Sequence, residues 1–174
     1  RRGEEDARSA SGRTPTRVAG TPEGAEHRRS RAHRRRTQVM IVVDACTIVS
    51  WLLEDETSPK ADAAVGYLAA HGAYVPSNFI TEITHALLTA ERRGRLDEVA
   101  TGVALSEILA LPLTVESPDP HTILTIARSR RLTGYDAAYL ALALQAQLPL
   151  ATIDRALGAA AAAEGCTCTF ATGS

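Results

Sequence analysis

The sequence predicts an α/β protein, a three-layer α/β/α sandwich around a mainly parallel sheet of about five strands. Short apolar runs, typical of strands buried on both faces, recur along the chain. Longer segments with helical periodicity separate these runs, and Gly, Pro and capping residues mark the boundaries. Regular alternation of strands and helices is the pattern of βα units, whose helices cover both faces of the sheet.

Charge divides the 174-residue chain into two parts. Residues 1–36 hold eleven Arg against five Asp or Glu, a net charge of +6, whereas residues 40–174 hold eight Lys or Arg against fifteen acids, a net of −7. The basic part has few large apolar residues and cannot offset its ordering entropy. We therefore expect a disordered Arg-rich arm at residues 1–39 and one domain at residues 40–174. Met40, the only methionine, is the expected true start, and the alternative is an arm that grips RNA.

The domain opens with an apolar strand over residues 39–43 that ends at Asp44, and a short helix is predicted over residues 47–53. Ser58 and the following proline begin a helix that runs to about residue 70, where Gly72 ends it. The remaining elements are a strand at 73–75, helices from Ser77 to about 93 and at 96–109, a strand at 113–115, helices at 119–131 and 135–147, a strand at 150–152, a helix at 154–164 and a fifth strand at 167–170.

Four acidic residues are candidate site residues. Asp44 and Asp154 follow the first and fourth strands, and open α/β sheets bind ligands at the carboxyl ends of their strands. Glu82 lies at the edge of an apolar helix face, and Asp136 begins a helix that is apolar nearly all round. Carboxylates brought together in such surroundings repel one another, and a hard divalent cation relieves that repulsion. Asp44 and Asp154 could also be helix N-caps, and Asp136 could form a capping box with Thr133. Glu82 is expected to be half-buried and to need a metal ion, an Arg or a Lys as its partner.

Other function classes lack their motifs. The phosphate-binding patterns GxGxxG and GxxxxGK[ST] and the nucleophile elbow GxSxG are absent. Aromatic residues, 4% of the chain, are too few and dispersed to predict a stacking platform. The three cysteines lack a second ligand pair for zinc, and no apolar run reaches the roughly 18 residues of a membrane span. We expect a cytoplasmic protein with reduced thiols and no membrane contact.

Four motifs in order resemble those of PIN-domain toxins of the VapC type. Residues 42–54, VVDACTIVSWLLE, are similar to the opening of these toxins, and Pro76-Ser77 with Glu82 and residues 86–88 is similar to their second motif. Residues 132–143, LTGYDAAYLALA, are the most specific piece, and residues 150–157, LATIDRAL, complete the set. The resemblance spans residues 40 to about 170.

The resemblance implies a Mg²⁺-dependent endoribonuclease, with Mn²⁺ as a substitute, that is the toxin of a type II toxin–antitoxin system. It implies Asp44, Glu82 and Asp136 as metal ligands and catalytic residues. Asp154 would be a fourth acid, acting directly or through water, and Thr152 would hold a ligand or water. The implied partners are an RNA substrate, a cognate antitoxin protein and a second copy of the chain. RNA backbone contacts are expected from arginines at two helix ends: Arg92, Arg93, Arg95, Arg128, Arg130 and Arg131.

Two positions depart from the family pattern, and two alternative functions remain open. Cys46 stands where a small hydroxyl residue is common, and His85 stands where Asn often follows the acid by three. A phosphohydrolase of the haloacid-dehalogenase type also begins with Asp after a first strand, but it requires a second Asp at the position of Cys46. A non-catalytic α/β binding module would use the acids only as helix caps.

Overall fold

The computed structural model describes residues 40–53 and 58–168. The predicted arm at residues 1–39 lies outside these ranges. The described residues form four strands and seven helices. They are β1 (Ile41–Val43), α1 (Ala45–Leu52), α2 (Pro59–His71), β2 (Ala73–Pro76), α3 (Phe79–Arg92), α4 (Glu98–Ala110), β3 (Leu113–Glu116), α5 (Pro120–Arg130), α6 (Gly134–Ala146), β4 (Leu150–Ala151) and α7 (Arg155–Ala163).

The four strands form one parallel sheet in the order β3-β2-β1-β4. Val42 in the central strand pairs with Tyr74 of β2 and Leu150 of β4. All three residues of β1 are buried, as the uninterrupted apolar run predicted. Helices cover both faces of this sheet, so the predicted three-layer α/β/α class is confirmed.

The prediction of about five strands is too high for the described residues. The segment expected to form the fifth strand contributes an isolated parallel bridge between Thr167 and Leu150. Two backbone hydrogen bonds flank this bridge, from Leu150 to Cys166 and from Cys168 to Leu150. Strand β4 is only two residues long because the chain turns toward the next helix after Ala151, so it offers little edge for pairing. Residues 169–170 of the predicted strand lie outside the described ranges.

Local capping sets most helix boundaries. Ser58 caps α2 by accepting a hydrogen bond from the Ala61 amide, and Gly72 ends that helix at a φ of +79°. A side chain at Gly72 would also press against Met40 and the Pro112 carbonyl, at 3.2 and 3.3 Å. Helix α1 begins two residues earlier than predicted because Asp44 caps it directly.

Helix α6 lies at the centre of the core. Seven consecutive residues, 137–143, are buried, which confirms the prediction of an interior helix. The helix contacts β1, β2 and β4, and its many alanines allow close approach to the sheet. Helix α4 exposes three apolar side chains, Val99, Val103 and Leu109, while Ala104 and Ile108 are buried. Among the described residues, no helix is long and apolar enough to cross a membrane.

Candidate active site

The sheet topology fixes where a site can form. The chain moves from β1 outward to β2 and β3, and then returns to the other side of β1 with β4. This reversal creates a crevice at the carboxyl ends of β1 and β4, the usual ligand-binding position in an open α/β sheet. Asp44 follows β1, and Thr152 with Asp154 follows β4. Because β1 and β4 are neighbours in the sheet, these strand ends lie side by side.

Asp44 is almost fully buried, with 4% of its surface exposed. Its Oδ2 atom accepts hydrogen bonds from the Cys46 thiol and from the Thr152 hydroxyl, the latter at 2.8 Å. Burial raises the pKa of this carboxyl, although both hydrogen bonds oppose the rise, and the charge of Asp136 raises it further. A helix cap needs no burial, so capping alone does not explain this placement.

Glu82 lies in the first turn of α3 and is half-buried. Its Oε2 accepts a hydrogen bond from the Tyr139 hydroxyl at 3.1 Å, and its Oε1 accepts one from the Asn78 side-chain amide. Burial raises the pKa of Glu82, these two donors lower it, and the charges of Asp44 and Asp136 raise it. The buried acid that the sequence predicted is therefore held by two neutral donors.

The sequence analysis missed both of these donors. Tyr139 is fully buried in the interior helix α6, and a buried tyrosine hydroxyl normally has a hydrogen-bond partner. Asn78 precedes Glu82 by four residues, one helical turn. Both signals were present in the sequence, but only the folded structure identifies Glu82 as the acceptor that they share.

Asp136 forms the predicted capping box. Its backbone amide donates to the Thr133 hydroxyl oxygen at 3.1 Å, and that hydroxyl donates to its Oδ2 at 2.7 Å. The side chain nevertheless lines a pocket together with Glu82. Its negative charge raises the pKa of both Asp44 and Glu82. Capping and a place in the acidic cluster are thus compatible roles for one residue.

This acidic pocket has a volume of about 630 Å³. Glu82 and Asp136 line it, and the buried Asp44 directly precedes Ala45 and Cys46, which also line it. The negative charges of Asp44 and Asp136 both raise the pKa of Glu82. Among the described residues that line it, none is Lys or Arg: Ala45, Cys46, Val49, Thr81, Glu82, His85, Ala86, Thr133, Tyr135, Asp136 and Ile153.

Asp154 is placed differently from the other three acids. It is exposed, caps α7 by accepting a hydrogen bond from the Leu157 amide at 2.7 Å, and lines an adjacent pocket. Its connection to the acidic pocket runs through Thr152, whose Oγ1 accepts from the Asp154 amide at 3.0 Å and donates to Asp44. The structure therefore brings Glu82 and Asp136 into one pocket and buries Asp44 at the end of β1, and Thr152 links Asp44 to Asp154 by hydrogen bonds.

The donor set suits a hard divalent cation. Glu82 and Asp136 line a pocket in which no described lining residue is cationic, and the buried Asp44 lies next to that lining in the chain. Mg²⁺ and Mn²⁺ prefer oxygen ligands such as these carboxylates. Within the described ranges, however, no three acidic, His or Cys side chains stand close enough to form a ready-made metal site. Each carboxylate is instead held by protein donors, so binding an ion requires the side chains to converge.

A family comparison decides the class of protein. The sequence model of the PIN domain matches residues 41–163, most of the chain and all of the site. The chain belongs to the PIN-domain family. Among curated relatives, Ribonuclease VapC3 of Mycobacterium tuberculosis is 34% identical over 122 residues, covering 69% of this chain and 86% of the relative. Ribonuclease VapC1 of the same species is 32% identical over 126 residues, covering 68% and 92%.

A solved structure supports the same assignment. The crystal structure of PAE2754 from Pyrobaculum aerophilum superposes with a TM-score of 0.57 at 26% sequence identity. The match covers 71% of this chain and 86% of that protein. The predicted resemblance to the PIN-domain family of VapC ribonucleases is therefore confirmed by sequence and by fold.

Both departures from the family pattern line the acidic pocket of this PIN domain. Cys46 donates its thiol to Asp44, which is the hydrogen bond that a hydroxyl at this position would supply. His85 lies one turn after Glu82 on the exposed face of α3, and its ring lines the pocket. All three cysteines are free thiols, as the sequence analysis expected. The thiol therefore preserves the support of Asp44 despite the change of residue type.

Proposed function

We propose that this chain is a metal-dependent endoribonuclease and the toxin of a toxin–antitoxin pair. The observation that carries the proposal is the acidic pocket at the topological switch point: Glu82 and Asp136 line it, the buried Asp44 directly precedes two of its lining residues, and no cationic side chain is among its described lining residues. The relatives named as VapC ribonucleases support RNA as the substrate. The family match argues against the haloacid-dehalogenase alternative.

Asp44, Glu82 and Asp136 would hold one or two Mg²⁺ or Mn²⁺ ions, with Asp154 taking part directly or through water. When bound, such an ion supplies Lewis acidity toward the attacking water and the scissile phosphate. The protein keeps the carboxylates oriented: Thr152 and Cys46 fix Asp44. Asn78 and Tyr139 similarly hold Glu82 in place. Such support limits the reorganisation needed when substrate arrives.

Cys46 is a poor candidate for a protein nucleophile. The thiol lines the pocket, but partial burial and the neighbouring Asp44 charge raise its pKa well above the usual range. A thiol that stays protonated at neutral pH attacks phosphorus weakly, because the thiolate is the reactive form. Hydrolysis by water is therefore the route that the pocket favours.

Replacing Tyr139 by Phe is expected to weaken Mn²⁺ binding. The substitution keeps the buried ring and removes the hydroxyl that holds Glu82 Oε2. Loss of such an outer partner typically costs about 10- to 100-fold in metal affinity. Isothermal titration with Mn²⁺ measures the change, with Tyr74→Phe on β2 as a matched control. Equal affinities for wild type and Tyr139→Phe would show that this hydrogen bond does not support metal binding.

We also propose that the RNA backbone is bound near the pocket that Asp154 lines. Lys60 and Arg155 line it, and it shares Ile153 with the acidic pocket. Arg130, one of the arginines expected from the sequence to contact RNA, instead donates to Glu164 from its Nε at 3.0 Å. Cations beside an acidic pocket can hold the flanking phosphates that the acids themselves repel.

We also propose that the chain acts as a homodimer and is silenced by an antitoxin protein. Helix α4 exposes Val99, Val103 and Leu109, and the α3 helix packed against it exposes Ile80 and Leu88. Exposed apolar side chains on two packed helices are typical of protein interfaces. Light scattering of wild type and Val103→Glu tests the dimer, and a wild-type monomer at all concentrations would contradict it.

Digestion of total RNA tests the proposed activity. The wild-type protein with Mg²⁺ or Mn²⁺ is expected to give discrete internal fragments, and EDTA should prevent them. An Asp136→Asn variant should give no fragments while keeping its fold, because Asn can still accept the Thr133 hydrogen bond. Fragments that persist in EDTA would refute metal dependence, and intact RNA under every condition would favour the binding-module alternative.

A further inference from the structure

Tyr135 presents an exposed aromatic ring at the rim of the acidic pocket. It directly precedes Asp136 in the first turn of α6, lines the same pocket, and has 62% of its surface exposed. Tyr139, one turn further along the helix, is fully buried by contrast. The ring of Tyr135 therefore contributes little to the core, and its position beside the acids requires another explanation.

The wall of the pocket is largely aliphatic. Ala45, Val49, Ala86 and Ile153 line it alongside the carboxylates. Its volume of about 630 Å³ lies within the roughly 300–1,000 Å³ typical of small-molecule sites. A hydrated metal ion makes no use of apolar walls, whereas a flat organic ring does. The pocket thus combines a polar region for an ion and phosphate with an apolar region for something planar.

We infer that Tyr135 and this aliphatic wall form a subsite for the nucleobase next to the scissile phosphate. The inference rests on the proposed nuclease function and adds a recognition element to it. Every base offers a flat face to an aromatic ring, and one stacking contact is typically worth about 5- to 150-fold in affinity. A base can stack on a protein ring only when it is unpaired, so the subsite selects single-stranded or loop RNA.

The proposed subsite needs only one aromatic ring. Aromatic residues are too dispersed along the chain to predict a stacking platform of several rings. Folding nevertheless places one of them beside the acids, and a single ring is sufficient to hold one base. Because Tyr135 and Asp136 line the same pocket, a base stacked on the ring would belong to a nucleotide that flanks the reacting phosphate.

Steady-state cleavage of a short single-stranded oligoribonucleotide, taken from a wild-type cleavage site, tests the subsite. Tyr135→Ala is expected to raise KM about tenfold with little change in kcat. Tyr135→Phe should behave like wild type, and Tyr135→Leu should behave like Tyr135→Ala. Leu124→Ala removes an exposed apolar side chain from α5, outside the pocket lining, and serves as the control. A fall in kcat would indicate instead that the change disturbs Asp136.

A substrate that carries an abasic ribose on one side of the cut or the other provides the decisive comparison. For wild type, KM should rise about tenfold when the stacked base is absent. For Tyr135→Ala, whose KM is already raised, removing the base should cause no further rise. An unchanged KM in Tyr135→Ala, or an abasic penalty that persists in that variant, overturns the inference while leaving the nuclease assignment intact. A wild-type protein that neither binds nor cleaves RNA overturns both.

Discussion

Replacing Asp44 by Asn is expected to lower the rate of RNA cleavage by about 10³-fold, the upper range for a single group that stabilises transition-state charge. Asn is close in size to Asp and can accept the hydrogen bonds that Thr152 and Cys46 donate. It cannot supply a carboxylate to a divalent ion. The single-turnover cleavage rate of an oligoribonucleotide, measured at saturating Mn²⁺, gives the size of the effect.

A second cap residue provides the matched control for this experiment. Asp97 caps α4 by accepting a hydrogen bond from the Ala100 amide at 2.7 Å, but it is exposed and does not line the acidic pocket. Asp97→Asn should therefore cleave RNA at the wild-type rate. If Asp44→Asn and Asp97→Asn were equally active, Asp44 would be only a cap and the proposed site would be wrong.

The fold was predictable because its signals are local. The uninterrupted apolar run at β1 predicted a buried strand, and Ser58 and Gly72 predicted the ends of α2. The fifth strand was not predictable in the same way. Whether residues near Thr167 form a strand depends on how much of β4 remains available for pairing, and that length is set by the turn after Ala151.

The candidate site was predictable in its acids and less so in their surroundings. Strand ends and helix starts identified Asp44, Glu82 and Asp136, because parallel strands bring their carboxyl ends to one edge. That Asp154 faces a neighbouring pocket depends on the direction in which α7 leaves the sheet. The contact between Tyr139 and Glu82 joins residues 57 positions apart, which no local pattern specifies.

Metal and pH should act on stability in opposite ways. Burial raises the pKa of Asp44 above its ordinary value of 3.8 and that of Glu82 above 4.5. At a pH between the ordinary pKa of each group and its raised pKa in the folded state, the folded protein therefore binds more protons than the unfolded chain. These groups stabilise the fold below their unfolded pKa, and that contribution is lost as the pH rises through the folded pKa. A divalent cation should restore it by compensating the charge.

This opposition predicts a reversal in the order of melting temperatures. In EDTA at about pH 4, Asp44→Asn and wild type should have the same melting temperature. At about pH 7 the melting temperature of Asp44→Asn should be about 2–4 °C higher, the shift that ~1 kcal/mol produces in a domain of this size. Mn²⁺ at about 100 times its Kd should then raise the wild-type Tm by roughly 5–10 °C. The variant should respond weakly to the ion, so wild type becomes the more stable protein.

The reversal separates a metal site from a group of helix caps. Caps made by Asp44 and Asp136 would favour the charged carboxylate, so Asp44→Asn would be neutral or destabilising at pH 7 and Mn²⁺ would have no effect. A Tm difference that does not change with pH would show that the buried charge of Asp44 does not destabilise the metal-free protein. Stabilisation of both proteins by Mn²⁺ to the same extent would place the ion elsewhere on the molecule. The reversal requires an Asp44 carboxylate that destabilises the metal-free protein at pH 7 and that binds the ion when Mn²⁺ is present.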